Sequence, residues 1–154
     1  GSKLVLRDNN MTVEKLADSN NYDYSAIIGD LKMNSGYHKW ILKLSPGAKN
    51  NNQWICFGIV QDTISINFED FNRKDICGIS TGGSNYQMSG ATYFTHEDSK
   101  SYECVLDFEQ DIFEIRRDGE VIGYKKNGIK GNSFIPCCIL CRNNNMVSLT
   151  VCYS

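Results

Sequence analysis

Excess positive charge, long apolar runs and helical periodicity are all missing from this chain of 154 residues. Sixteen Lys and Arg against eighteen Asp and Glu leave a net charge of -2, without the basic surplus that contact with a phosphate backbone draws on. Nucleic acid is excluded as a first reading. No apolar stretch approaches the ~20 residues needed to cross a bilayer, and no charged-then-apolar leader stands at the front, so the chain reads as soluble and without a membrane partner. Gly1-Ser2 reads as an expression scar, which leaves residues 3–154 as one domain with no linker or internal repeat to divide it.

The residues of the common chemistries are also sparse. There are two histidines, His38 and His96, set far apart in sequence; base catalysis needs a partner within hydrogen-bond reach, so His38, at a strand-opening turn, is expected to pack or to bond a backbone carbonyl. Cys137-Cys138 with Cys141 resembles half of a zinc site, yet no second Cys-x-x-Cys exists, and a structural zinc needs four ligands. The expectation is core packing and no metal. Gly82-Gly83-Ser84 lacks the Lys-Ser/Thr of a phosphate-cradling loop and reads as a turn. The acidic pairs Glu69/Asp70, Glu97/Asp98 and Asp107/Glu109 could serve glycoside hydrolysis only if two carboxylates faced each other across a cleft; solvated loops are the simpler reading. No cofactor is implied, and the chain reads as a non-enzyme. The seven cysteines are an odd number without regular spacing, which points to reduced thiols in the cytoplasm or nucleus.

What the chain does have is short β-rich runs broken by Gly, Asn and Asp, the pattern of an all-β sandwich. The organising stretch is Ser35 to Leu44, where a turn feeds a run with Trp40, Leu42 and Leu44 on one face. Trp40 is expected to be buried and to fix the packing of neighbouring strands. Leu4–Leu6 and Thr12–Leu16 form a first pair, and Ser25–Ile28 is the next strand. Trp54–Val60 is apolar at both parities, so it is expected at the centre of a sheet with both faces covered, and Gly58 within it implies a close backbone approach or a bulge. Ile76–Ser80, Tyr86–Met88 and Thr92–Phe94 are short strands, with one helical turn possible within Gln61–Asp75. Tyr102–Phe108, Ile112–Arg117 and Val121–Tyr124 form hairpins, the second closed by Asp118-Gly119, residue types suited to a type I′ turn. Phe134–Cys141 and Met146–Tyr153 close the domain.

The order of several motifs resembles the SPRY family. They are Ala26-Ile27-Ile28-Gly29, Ser35-Gly36 with His38 and Trp40, Trp54 with Phe57-Gly58-Ile59, Val105-Leu106-Asp107-Phe108-Glu109, Phe113 with Asp118-Gly119, Gly128-Ile129 with Gly131, and Phe134 with Pro136. The resemblance covers the core from residue 25 to 154; residues 3–24 are loosely similar to the segment that precedes the core in tripartite-motif proteins. It implies an antiparallel two-sheet β-sandwich, a concanavalin-like jelly roll, that recognises protein segments, in many members as the substrate-binding part of a ubiquitin ligase.

Sandwich loops gather at two ends, where a rigid scaffold lets them bind. The loops Asp18–Tyr24, Gln61–Asp75 and Arg142–Asn145 are expected to meet at one end and to hold a peptide. The candidate contacts are Tyr22, Tyr24, Gln61, Asp62, Phe68, Phe71, Arg142, Asn143 and Asn144, aromatic, Arg and amide side chains of the kind enriched at hot spots. The partner is thus expected to be a protein or peptide, bound by a monomeric domain. A carbohydrate-binding or glycan-processing sandwich and a structural docking domain within a larger protein are the alternatives.

Overall fold

The structure, a computed structural model, describes residues 4–7, 12–15, 24–28, 31–44, 54–63, 75–80, 84–90, 101–141 and 147–153. These residues form strands and turns, with no α-helix among them and Asp75 alone in 3-10 geometry. The strands are β1 (Leu4–Arg7), β2 (Thr12–Lys15), β3 (Tyr24–Ile28), β4 (Tyr37–Leu44), β5 (Trp54–Gln61), β6 (Cys77–Ser80), β7 (Asn85–Tyr86), β8 (Ser101–Asp107), β9 (Ile112–Arg117), β10 (Glu120–Lys126), β11 (Phe134–Cys141) and β12 (Val147–Tyr153). They build two antiparallel sheets, one of seven strands in the order β1-β2-β12-β4-β8-β9-β10 and one of five in the order β3-β11-β5-β6-β7. The fold class expected from the pattern of short runs is therefore the one observed. β1 and β2 are part of the larger sheet, since β2 pairs with β12.

Trp40 has the role its position suggested. It is 1% exposed, and its ring stacks on that of Phe113 of β9 with centroids 6.1 Å apart. Facing it from the smaller sheet are Ile55, Phe57 and Ile59, with Phe57 against the ring of Tyr102 at 5.2 Å. The alternate residues of β5, Cys56 and Val60, join Ile76, Cys137 and Ile139 in a second buried cluster on the other face of the sheet. β5 is thus buried on both faces at the centre of its sheet, as its double-parity apolar run requires.

Gly58 explains the tight pairing of β5 with β6. It lies opposite Gly78, and a Cβ at either position would run into the partner strand's backbone, the Cys77 carbonyl in one case and the Phe57 carbonyl in the other. Close approach, not a bulge, is what this glycine provides. The turn between β9 and β10 has Asp118 and Gly119 at φ 52° and 80°, the left-handed pair that a type I′ hairpin demands. β7 ends at Tyr86 instead of Met88 because Gln87 turns to φ 53°, which takes the chain out of extended geometry. The expected strand Thr92–Phe94 and the expected helical turn, apart from residues 61–63 and 75, lie outside the described residues.

Backbone bonds outside the sheets tie the two layers together. Ser89 and Tyr124 exchange hydrogen bonds of 2.7 and 2.9 Å, carrying the chain from the edge of the smaller sheet to β10 of the larger. Met33 and Phe134 exchange a pair at 2.8 Å, while within the larger sheet the Phe108 N–H donates to the Gly36 carbonyl at 3.0 Å and extends the β4–β8 ladder. On the open face of the larger sheet Glu103 accepts from Lys39 at 2.9 Å and lies 3.6 Å from Arg116, which also pairs with Glu114. These cross-strand pairs keep that face polar.

Candidate functional site

The register of the smaller sheet decides which connections share an end of the sandwich. At one rim Cys141 pairs with both Tyr24 and Trp54, so β3 and β5 begin where β11 ends. At the other rim Gln61 pairs with Phe134, so β5 ends where β11 begins. The eight residues of β11 separate the rims by about 23 Å at the usual strand rise. The expectation that Asp18–Tyr24, Gln61–Asp75 and Arg142–Asn145 meet at one end is therefore corrected. Tyr24 and the residue preceding Arg142 are neighbours, whereas Gln61 and Asp62 stand at the opposite rim. The physical reason is that β5 and β11 are antiparallel, so the exit of one adjoins the entry of the other.

Of the remaining expected contacts, Tyr22, Phe68, Phe71, Arg142, Asn143 and Asn144 lie outside the described residues, and Tyr24 is described in its backbone alone. Asp62 is 3.4 Å from the ammonium of Lys32, and its N–H donates to the Ser133 carbonyl at 3.0 Å. This pins the start of its loop to the chain entering β11.

The rim at Gln61 contains a cavity of about 280 Å³ between the two sheets, lined by Ile59, Gln61, Asp75, Cys77, Gln87, Lys125, Gly128 and Phe134. Ile59, Cys77 and Phe134 are buried and form its apolar floor. Gln61, Asp75 and Lys125 are half-buried around it. The Cys77 thiol donates a long bond, 3.9 Å, to the carbonyl of Gln87. Burial pushes this thiol up to about 12, while the nearby charge of Lys125 pulls weakly the other way. It stays protonated at neutral pH and is no nucleophile. Except for Gln61, none of these residues is expected as a contact from the sequence, because the cavity is assembled from the ends of β5, β6, β7, β10 and β11.

One wall is held in place by Asp111. Its Oδ1 accepts N–H bonds from Ile129 and Lys130, both at 2.7 Å, and its carbonyl accepts from Asn127 at 2.8 Å. The backbone donors, led by Lys130 and followed by Ile129 and Gly128, hold the carboxyl below its ordinary range against a smaller desolvation effect.

The other chemical candidates have structural roles. His38 donates from Nε2 to the Ser35 carbonyl at 2.8 Å and sets its ring edge-on to Phe108. Asp107 accepts from the backbone of Glu109 and Gln110 at 2.9 and 3.0 Å, capping its own turn. Cys137 and Cys138 point to opposite faces of β11, one into each buried cluster, so they cannot ligate one ion together. Among the described residues no group of three potential ligands converges. Glu69/Asp70 and Glu97/Asp98 lie outside the described residues.

With the two sheets and their register established, the comparison with known proteins is informative. The SPRY domain of human HERC1 superimposes with a TM-score of 0.71 over 99% of this chain and 97% of its own, at 16% sequence identity. The fold is that of a SPRY domain. No family model matches the sequence, and no curated protein matches it.

Proposed function

We propose that this SPRY-fold chain is a non-catalytic recognition module that holds a segment of a partner protein at the rim where β3 and β5 begin and β11 ends. The observation that carries the reading is the register: Tyr24, Trp54 and Cys141 are side by side, so connections from three strands leave from one rigid edge. In this reading Tyr22, Tyr24 and Arg142 are the anchors, and Asn143 and Asn144 bond the partner's backbone, an amide being able to donate and accept at once. Gln61 and Asp62, at the opposite rim, take no part there. The buried free thiols Cys56, Cys77, Cys104, Cys137 and Cys138 suit a reducing compartment, so we place the module in the cytoplasm or nucleus, as a monomer. Joined to a ubiquitin-ligase segment, it would supply the substrate receptor.

The test is selection of binders from a random peptide library on the 154-residue chain, followed by titration of a selected peptide. Tyr22→Ala and Arg142→Ala should each weaken binding by about 1–3 kcal/mol, the range for anchor residues, with the melting temperature unchanged. Equal affinity of both variants and the parent would refute the assignment of the rim.

A further inference from the structure

The cavity at the opposite rim takes no part in that reading and has its own chemistry. Among the described residues its floor of Ile59, Cys77 and Phe134 is apolar and its walls carry one carboxylate, Asp75, and one ammonium, Lys125. Neither makes an ion pair among the described residues. Two opposite charges half-buried around one gap attract a group that satisfies both. A cationic side chain entering the gap would meet Asp75 favourably and be repelled by Lys125; an anionic one would meet the reverse. A neutral group with an acceptor at one side and a donor at the other satisfies both walls, and the primary carboxamide, with its oxygen and NH₂ side by side on one planar end, is such a group. The volume of about 280 Å³ is at or below the lower bound of small-molecule pockets, room for one side chain. An apolar floor favours a stem of methylenes beneath the amide. Gln87, a non-glycine residue held at φ 53° on the cavity wall, adds local backbone strain of the kind that clusters at ligand clamps.

We infer that this cavity is a second binding site that receives a glutamine-type carboxamide, its carbonyl accepting from Lys125, its NH₂ donating to Asp75, and its stem lying on Ile59 and Phe134. The group comes either from a glutamine in a protein segment or from the free amino acid. Cys77 remains a neutral part of the floor, so the site binds and does not react.

The experiment is titration of the intact chain, observed by backbone and methyl NMR, with N-acetyl-glutamine methylamide, N-acetyl-glutamate methylamide and free glutamine. The capped glutamine should shift the signals of Ile59, Lys125 and Gly128 with the about millimolar affinity of a fragment-sized ligand. The capped glutamate should bind about tenfold more weakly, because its carboxylate faces Asp75. Binding of the capped probe alone identifies a protein segment as the source, and equal binding of free glutamine identifies the small molecule. Lys125→Met should abolish both. Asp75→Asn leaves only the ammonium and should reverse the preference toward glutamate, a result that loss of folding cannot imitate. Absence of shifts at these residues in ~10 mM probe, well above the expected affinity, equal binding of glutamate and glutamine by the parent chain, or an unchanged preference in Asp75→Asn would each overturn the inference. Because the rim at Tyr24 is about 23 Å away along β11, failure here leaves the peptide-rim proposal untouched.

Discussion

Gly58 of β5 faces Gly78 of β6 across the ladder, and each occupies a position where a Cβ would overlap the other strand's carbonyl. The contact is backbone to backbone, so no side-chain rotation can relieve an added methyl group.

Gly58→Ala should therefore separate β5 from β6 or shift their register. Overpacking against backbone at the sheet centre is expected to cost about 1–3 kcal/mol or more, read as a lower midpoint in urea denaturation. Gly119→Ala provides the contrast. Gly119 has nothing within 4 Å of its Cβ position but sits at φ 80°, so the cost there is conformational alone, about 1 kcal/mol.

The Trp40–Phe113 stack, 18° from parallel, links β4 to β9 across β8. Removing the indole leaves a void lined by residues of both sheets that close packing cannot refill. Trp40→Ala should lower unfolding free energy by about 3–5 kcal/mol, measured by chemical denaturation. Trp40→Phe should cost less, since a ring still covers Phe113.

How far the sequence disclosed this molecule depends on the range of the interaction involved. Asp118-Gly119 gave the hairpin because a type I′ turn is a property of two adjacent residues. The apolar run of β5 disclosed a central strand because burial on both faces leaves no polar alternation to see. Trp40 was legible for the same reason: period-two burial is local. The grouping of loops was not legible, since it depends on which strand β11 pairs with and in what register, a contact between Gln61 and Phe134 set far apart in the chain. The cavity was illegible too. Asp75, Gln87 and Lys125 are ordinary polar residues until the two sheets close around them.

The buried thiols allow a chemical test. Cys77 and Cys137 are each pushed up to about 12 by burial, and Cys104 and Cys138 are also raised, chiefly by burial. The thiolate is the reactive form, so all four should resist iodoacetamide at pH 7 in the folded chain and react fully in denaturant. Mass spectrometry of peptides after a timed pulse provides the measurement. Rapid labelling of Cys138 under native conditions would contradict its place in the inner cluster.

Asp111 makes the stability of the cavity wall depend on pH, and the direction follows from its bonds. The N–H groups of Lys130 and Ile129 favour the carboxylate, so the folded-state value lies below the ordinary one. A group depressed on folding stabilises the fold above its unfolded value, about 3.9 for Asp, and that stabilisation is lost as pH falls through the folded value. Between pH 8 and about 5 the contribution should be constant, because both states are then ionised. Acidification through that folded value, which lies below the ordinary one, should release residues 127–131. Asp111→Ala removes the acceptor at every pH: its melting temperature should be lower at pH 7 and converge toward the parent's as pH falls. Hydrogen exchange at the Ile129 and Lys130 amides, which donate to Asp111 at 2.7 Å, locates the effect. Exchange should quicken at pH 7 in the variant, while the amides of β8 stay protected. An equal, non-zero melting-temperature gap at pH 3 and pH 7 would show that the carboxylate's charge adds nothing to its role as an acceptor, and no gap at pH 7 would show that Asp111 holds the loop through its backbone carbonyl alone.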